Sequence, residues 1–138
     1  MIKYRQITHK DVEIVQELYT KFPDFPQPSL HILPGSGLDG YVAVKDGSIV
    51  AACYTYIAAN SPTCWIEWVV GDKDYKENDK DDIIIGLLNY VSKEMEKFGY
   101  TYLFAMTTNE LLEKLYIKAG WDDSGPQGKE LLKVMNHG

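Results

Sequence analysis

The stretch Asn109-Glu110-Leu111-Leu112-Glu113-Lys114-Leu115-Tyr116-Ile117-Lys118-Ala119-Gly120-Trp121 is a helix with both ends written into the sequence. Asn109 belongs to the residue types whose short side chain accepts a hydrogen bond from a first-turn backbone N–H. Leu111, Leu112, Leu115, Tyr116 and Ala119 recur at a spacing that places them on one helical face. Gly120 stands where a helix stops on a residue of positive φ. Working back along the chain, residues 100–106 read as a strand. Before them, Ile83, Leu87, Leu88, Val91, Met95 and Phe98 mark an amphipathic helix. Asp81 and Asp82 lie at the end where a helix favours negative charge, and Gly99 is its stop.

The N-terminal side is richer in strands. Residues 40–45 and 48–57 flank Asp46-Gly47, a strong hairpin signal, and Asn60-Ser61-Pro62 turns the chain into a third strand over residues 63–70. Residues 2–8 form a first strand. Thr8 then caps a helix of about 12 residues, with Asp11 returning a carboxylate toward the cap. Four prolines and three glycines punctuate residues 23–40 too heavily for a long element, leaving room for one helical turn at 29–33; loops of this length usually bind something. A charged stretch separates the third meander strand from the second helix. Trp121 and residues 131–135 suggest closing strands. The order predicts one α/β domain over residues 1–138: a central twisted mixed sheet of about six or seven strands flanked by about three or four helices, α+β in its mixed pairing.

Composition narrows the partners. The net charge is −6 and Arg5 is the sole arginine, so the guanidinium forks that grip nucleic-acid phosphates are missing. No apolar run approaches the ~18 residues of a membrane span, and the N-terminus lacks a signal-peptide pattern. Cys53 and Cys64 read as reduced strand residues, which suits the cytoplasm. His9, His31 and His137 have no zinc spacing, and no metal is expected. A Gly-x-Ser-x-Gly nucleophile elbow is also lacking.

The element order resembles the GCN5-related N-acetyltransferase fold. The segment from Asn109 to Trp121 is similar to that family's run of Asn, seven residues to Tyr, a basic residue, Gly and an aromatic. The opening strand followed by acidic Asp11 matches as well. The resemblance covers essentially the whole chain. It implies an enzyme that uses acetyl-coenzyme A and transfers the acetyl group to a small-molecule or peptide amine by direct attack. No nucleic acid or membrane partner is implied, and a homodimer is left open.

One family feature is altered. The family carries Arg/Gln-x-x-Gly-x-Gly/Ala before the helix that follows its fourth strand, where backbone N–H groups hold the pyrophosphate. Aligned on Leu88 and Gly99, this chain puts Lys80 at the basic position and Ile83 and Ile85 at the glycine positions, with Asp82 and Ile84 beside them. Aligned forward from Val70 it offers Tyr75, Asn78 and Lys80 instead, and neither register has the glycines. Asp72, Asp74, Glu77, Asp79, Asp81 and Asp82 surround Lys73, Lys76 and Lys80. One carboxylate ~6 Å from a phosphate, at an effective dielectric of ~40, opposes it by roughly 1.4 kcal/mol. A second reading therefore stands beside the enzyme: a non-catalytic binding protein on the same fold that has lost normal coenzyme A binding.

Direct attack needs a base for the ammonium, donors for the oxyanion and a proton for the thiolate. The resemblance places Tyr116 near the cofactor sulfur; a phenol pKa of ~10 keeps the proton available. A tyrosine packed on the inner helix face is the plain alternative. Glu67, between Trp65 and Trp68, is the candidate base, against a solvated strand carboxylate. The backbone of Trp68, Val69 and Val70 is the expected strip for pantetheine and the oxyanion. Asn109 serves either as a helix cap or as a cofactor contact.

Overall fold

The computed structural model describes residues 1–123 and 131–135, so His137 falls outside it. Strand β1 (Ile2–Gln6) feeds a 3-10 turn at His9–Asp11 and then helix α1 (Val12–Thr20). Asp11 fixes that corner. Its carboxylate accepts from the Thr8 amide at 2.8 Å and the Thr8 hydroxyl at 2.9 Å, and takes Arg5 in a fork at 2.6 and 3.1 Å. The only arginine in the sequence is thus spent inside the fold.

Residues 29–33 supply the expected turn, with the Leu33 amide donating to the Ser29 carbonyl, and a second 3-10 turn follows at Pro34–Gly37. The meander is then β2 (Gly40–Lys45), β3 (Ser48–Ile57) and β4 (Thr63–Gly71). Asp46 and Gly47 both take positive φ, 50° and 85°, as a tight hairpin turn between right-twisted strands requires. Helix α2 (Lys80–Lys97), strand β5 (Tyr102–Phe104) and helix α3 (Glu110–Lys118) complete the order. Gly99 and Gly120 stop the last two helices at a φ of 92° each.

The five strands form one mixed sheet in the order β1-β2-β3-β4-β5, antiparallel except for the parallel β4–β5 pair. One face packs α2 and α3 over Tyr41, Ala43, Ala51, Cys53, Cys64 and Ile66. The other packs α1 over Val42, Ala52, Tyr54 and Val70. Both cysteines are free and buried, as expected of strand residues. Among the described residues no helix is long and apolar enough to cross a membrane.

The expected closing strands are not formed among the described residues, which leaves five strands rather than six or seven. Trp121 instead finishes α3: its amide donates to the Tyr116 carbonyl at 3.1 Å and its ring meets Tyr116 edge-on at 4.8 Å. A residue that ends a helix in this way has no N–H left for a strand ladder. Residues 131–135 are irregular, with Leu131 and Leu132 almost fully exposed.

Candidate functional site

The site is built where β4 loses its neighbours. Strand β5 pairs with β4 only through Thr63↔Tyr102, Cys64↔Leu103 and Trp65↔Phe104, and then leaves it. Beyond Trp65, β4 runs on to Gly71 with no strand beside that edge among the described residues. On its other side the ladder slips. Ala52 faces Val70 and Tyr54 faces Glu67, so Trp68 and Val69 together oppose Cys53. This is a β-bulge, the device that re-aims backbone groups beside a functional site.

Trp68 sits at a φ of 59°, a conformation that costs a bulky side chain energy unless its surroundings hold it there. They do so at three points. The buried Tyr19 hydroxyl donates to the Trp68 carbonyl. The Tyr19 ring meets the indole edge-on, 6.2 Å between centroids. The indole N–H donates to the Tyr56 hydroxyl at 3.0 Å, and Tyr56 in turn donates to the Ile32 carbonyl at 3.1 Å. The loop over residues 23–39 is thereby tied to the bulge. No sequence signal marked Tyr19 or Tyr56, because both sit in ordinary helix and strand patterns.

Tyr116 projects from α3 into the core and is 6% exposed. Burial raises its hydroxyl pKa well above the ordinary phenol range, with smaller contributions from Cys53 and from the Glu67 charge. Glu67 is half-buried, and its charge also acts on Tyr56. Candidate acid and candidate base therefore lie within electrostatic reach of each other. Asn109 takes the capping role: its Oδ1 accepts from the Leu112 amide at 3.1 Å, and the residue is exposed.

The start of α2 departs from the expected cradle. Ile83 and Ile84 are core residues, and the Ile83 amide donates to the Asp79 carbonyl at 3.0 Å. An α-helix leaves only its first few N–H groups without an intrahelical partner, so a phosphate would be met at Lys80, Asp81 and Asp82 rather than at Ile83, Ile84 and Ile85. The Lys80 ammonium folds across Gly71 and donates to the Asp72 carbonyl at 2.9 Å.

The fold also redistributes the charge of this region. Lys45 from β2 binds Asp79 at 2.7 Å and the Tyr75 hydroxyl at 2.6 Å, and these contacts hold its ammonium charged. Lys21 from α1 binds Asp72 at 2.8 Å and Asp74 at 3.0 Å. Adding Lys21 and Lys45 brings five lysines against the six acids of residues 72–82, a balance the linear sequence did not disclose.

No family model and no curated protein matches the sequence. Solved structures do match the fold. The ribosomal-protein-S18-alanine N-acetyltransferase from Escherichia coli is similar at a TM-score of 0.73 and 17% identity, over 91% of this chain and 80% of that one. AAC(6')-Iy, solved with the bisubstrate analogue CoA-S-monomethyl-acetylneamine, is similar at 0.71 and 15%, over 97% of this chain and 99% of that one. Diaminobutyrate acetyltransferase EctA from Paenibacillus lautus, solved with L-2,4-diaminobutyric acid and coenzyme A, is similar at 0.69 and 16%, over 86% and 74%. The chain has the GCN5-related N-acetyltransferase fold, α+β with a mixed sheet.

Proposed function

We propose that the chain is an acetyl-coenzyme-A-dependent N-acetyltransferase acting on the amine of a small molecule or peptide. The observation that carries this reading is the open β4 edge at the braced Trp68 bulge, with Glu67 on the same strand and its charge felt at Tyr116. The bound cosubstrate supplies an activated acetyl thioester. The edge from Trp68 to Val70 offers it backbone groups, as a strand offers them to an added strand. The N–H groups of Lys80, Asp81 and Asp82 are available to its phosphates.

Glu67 takes a proton from the acceptor ammonium, and the free amine then attacks the thioester carbonyl. A C–N bond forms as the C–S bond breaks, and the nitrogen's surplus proton goes to the departing sulfur, giving amide and thiol. Tyr116 holds its proton throughout neutral pH and presents it to the departing sulfur. Its raised pKa widens the gap to a thiol of ~8.5, so Tyr116 works mainly as a hydrogen-bond donor that strengthens as the thiolate develops. Replacing Tyr116 by Phe is expected to lower kcat by about 100-fold with KM for acetyl-coenzyme A nearly unchanged.

The glycine-free start of α2, with Asp79 as its cap and Lys80 engaged with Asp72, favours the second reading of a non-catalytic binding protein on this fold. Calorimetric titration of the purified chain with acetyl-coenzyme A, followed by an amine screen, separates the two. Micromolar binding with turnover supports the transferase. No heat and no thermal shift at millimolar ligand would overturn it and leave the binding protein.

A further inference from the structure

A cleft of about 610 Å³ lies away from the β4 edge, between the C-terminal end of α2 and the ends of β1, β2 and β3. That volume is within the ~300–1,000 Å³ usual for small-molecule sites. Its walls are aromatic: Tyr41, Tyr56, Phe98 and Tyr100, with Asp39 as the one charged lining residue. The Asp39 carboxylate is exposed at the rim beside Gly35 and makes no ion pair among the described residues. We propose that this cleft binds a small organic ammonium ion, with its charge at Asp39 and its methylene groups on the tyrosine rings.

Several features select that ligand class. Ring faces attract cations, and a carboxylate that no lysine or arginine pairs among the described residues provides the matching charge. A metal ion would require several oxygen ligands, whereas the cleft offers one carboxylate among rings. No lysine or arginine lines it to hold an anion. Its surroundings add to the negative field. Tyr41, on the floor, is pushed up to about 12 by burial first, then by Glu94 and Tyr90, with Asp39 adding to the effect. Glu94 itself is paired with Lys97 at 3.2 Å and accepts from the Tyr90 hydroxyl at 3.1 Å. Tyr56 connects the cleft to the bulge, because the hydroxyl of this lining residue receives the Trp68 indole N–H.

The test is a calorimetric and NMR titration of the full chain with cadaverine, without acetyl-coenzyme A, against uncharged pentanediol. Saturable binding of the diamine alone is expected, with shifts at Tyr41, Tyr56 and Tyr100. Asp39→Asn keeps the backbone carbonyl that accepts from the Thr55 amide, so the fold is retained while affinity falls roughly tenfold. Tyr100→Leu, at a half-exposed ring, provides a second loss of affinity should Asp39→Asn prove unstable. Equal binding of the diol, or no saturable binding at millimolar diamine, overturns the proposal. Because acetyl-coenzyme A is absent, the result stands apart from whether transfer occurs.

Discussion

Asp11 is almost fully buried with its carboxylate shared among Arg5, the Thr8 amide and the Thr8 hydroxyl, and Arg5 holds its pKa down at about 2. A depressed carboxyl pKa stabilises the fold above the ordinary value near 3.8 and loses that contribution as pH falls through about 2. Asp11→Asn should lower unfolding free energy at neutral pH by about 2 kcal/mol and flatten the acid limb of the stability curve. Urea melts at neutral and acid pH measure both effects, and an unchanged acid limb would remove Asp11 as its source. Tyr19 plays a comparable local part at the bulge. Tyr19→Phe keeps the ring but leaves the Trp68 carbonyl without its donor, a loss of about 1–3 kcal/mol. Faster amide exchange confined to residues 67–70 is the expected signature, and wild-type exchange there would show that the bulge needs no such brace.

At the scale of elements, the seating of α2 on β1 turns on Gly86. A Cβ there would come within 2.7 Å of the Tyr4 ring carbon that bears the hydroxyl, and Tyr4 is held by its bond to the Ile83 carbonyl and by stacking on Tyr90 at 5.8 Å. Gly86→Ala gains ~1 kcal/mol of helix propensity but incurs ~1–3 kcal/mol of overpacking, so a net loss in thermal melting is expected. A more stable Gly86→Ala protein would mean that Tyr4 swings aside freely. The same distinction between local and long-range signals explains what the sequence disclosed. Helix caps, the Asp46-Gly47 hairpin and the glycine stops depend on neighbours in the chain, and the elements they predict are present with small shifts at their ends. The strand over residues 100–106 shrank to Tyr102–Phe104 because its length is set by pairing with β4, which parts from it after Trp65. The closing strands rested on apolar residues alone, and apolarity at Trp121 served ring packing on Tyr116 instead. At the site, Asn109 was readable as a cap and Tyr116 as an inner-face residue. The positive φ of Trp68 was not, because the contacts that hold it come from residues 12 and 49 positions away.

For the molecule as a whole, a net charge of −6 would ordinarily be taken to repel a polyanionic cosubstrate. The distribution of that charge matters more than its total. At the start of α2, Lys21 and Lys45 arrive from elsewhere in the fold and pair with Asp72, Asp74 and Asp79, so part of the acidity read from the sequence is already neutralised. Charges elsewhere on the surface act through solvent and fade beyond the Debye length of about 10 Å at 0.1 M salt. Affinity for acetyl-coenzyme A should therefore come from backbone N–H groups and the β4 edge rather than from net positive charge. Raising salt from about 0.05 to about 0.3 M should leave the Kd unchanged within about threefold, or tighten it slightly as the residual repulsion is screened. A basic phosphate site behaves in the opposite way, losing affinity steadily as salt competes for its lysines. Titration at the two salt concentrations reads the sign directly. A tenfold weakening would show that the lysines leave Asp72 and Asp79 to grip the phosphates, and the ion pairs at the start of α2 would then be the resting partners of a site that opens on binding.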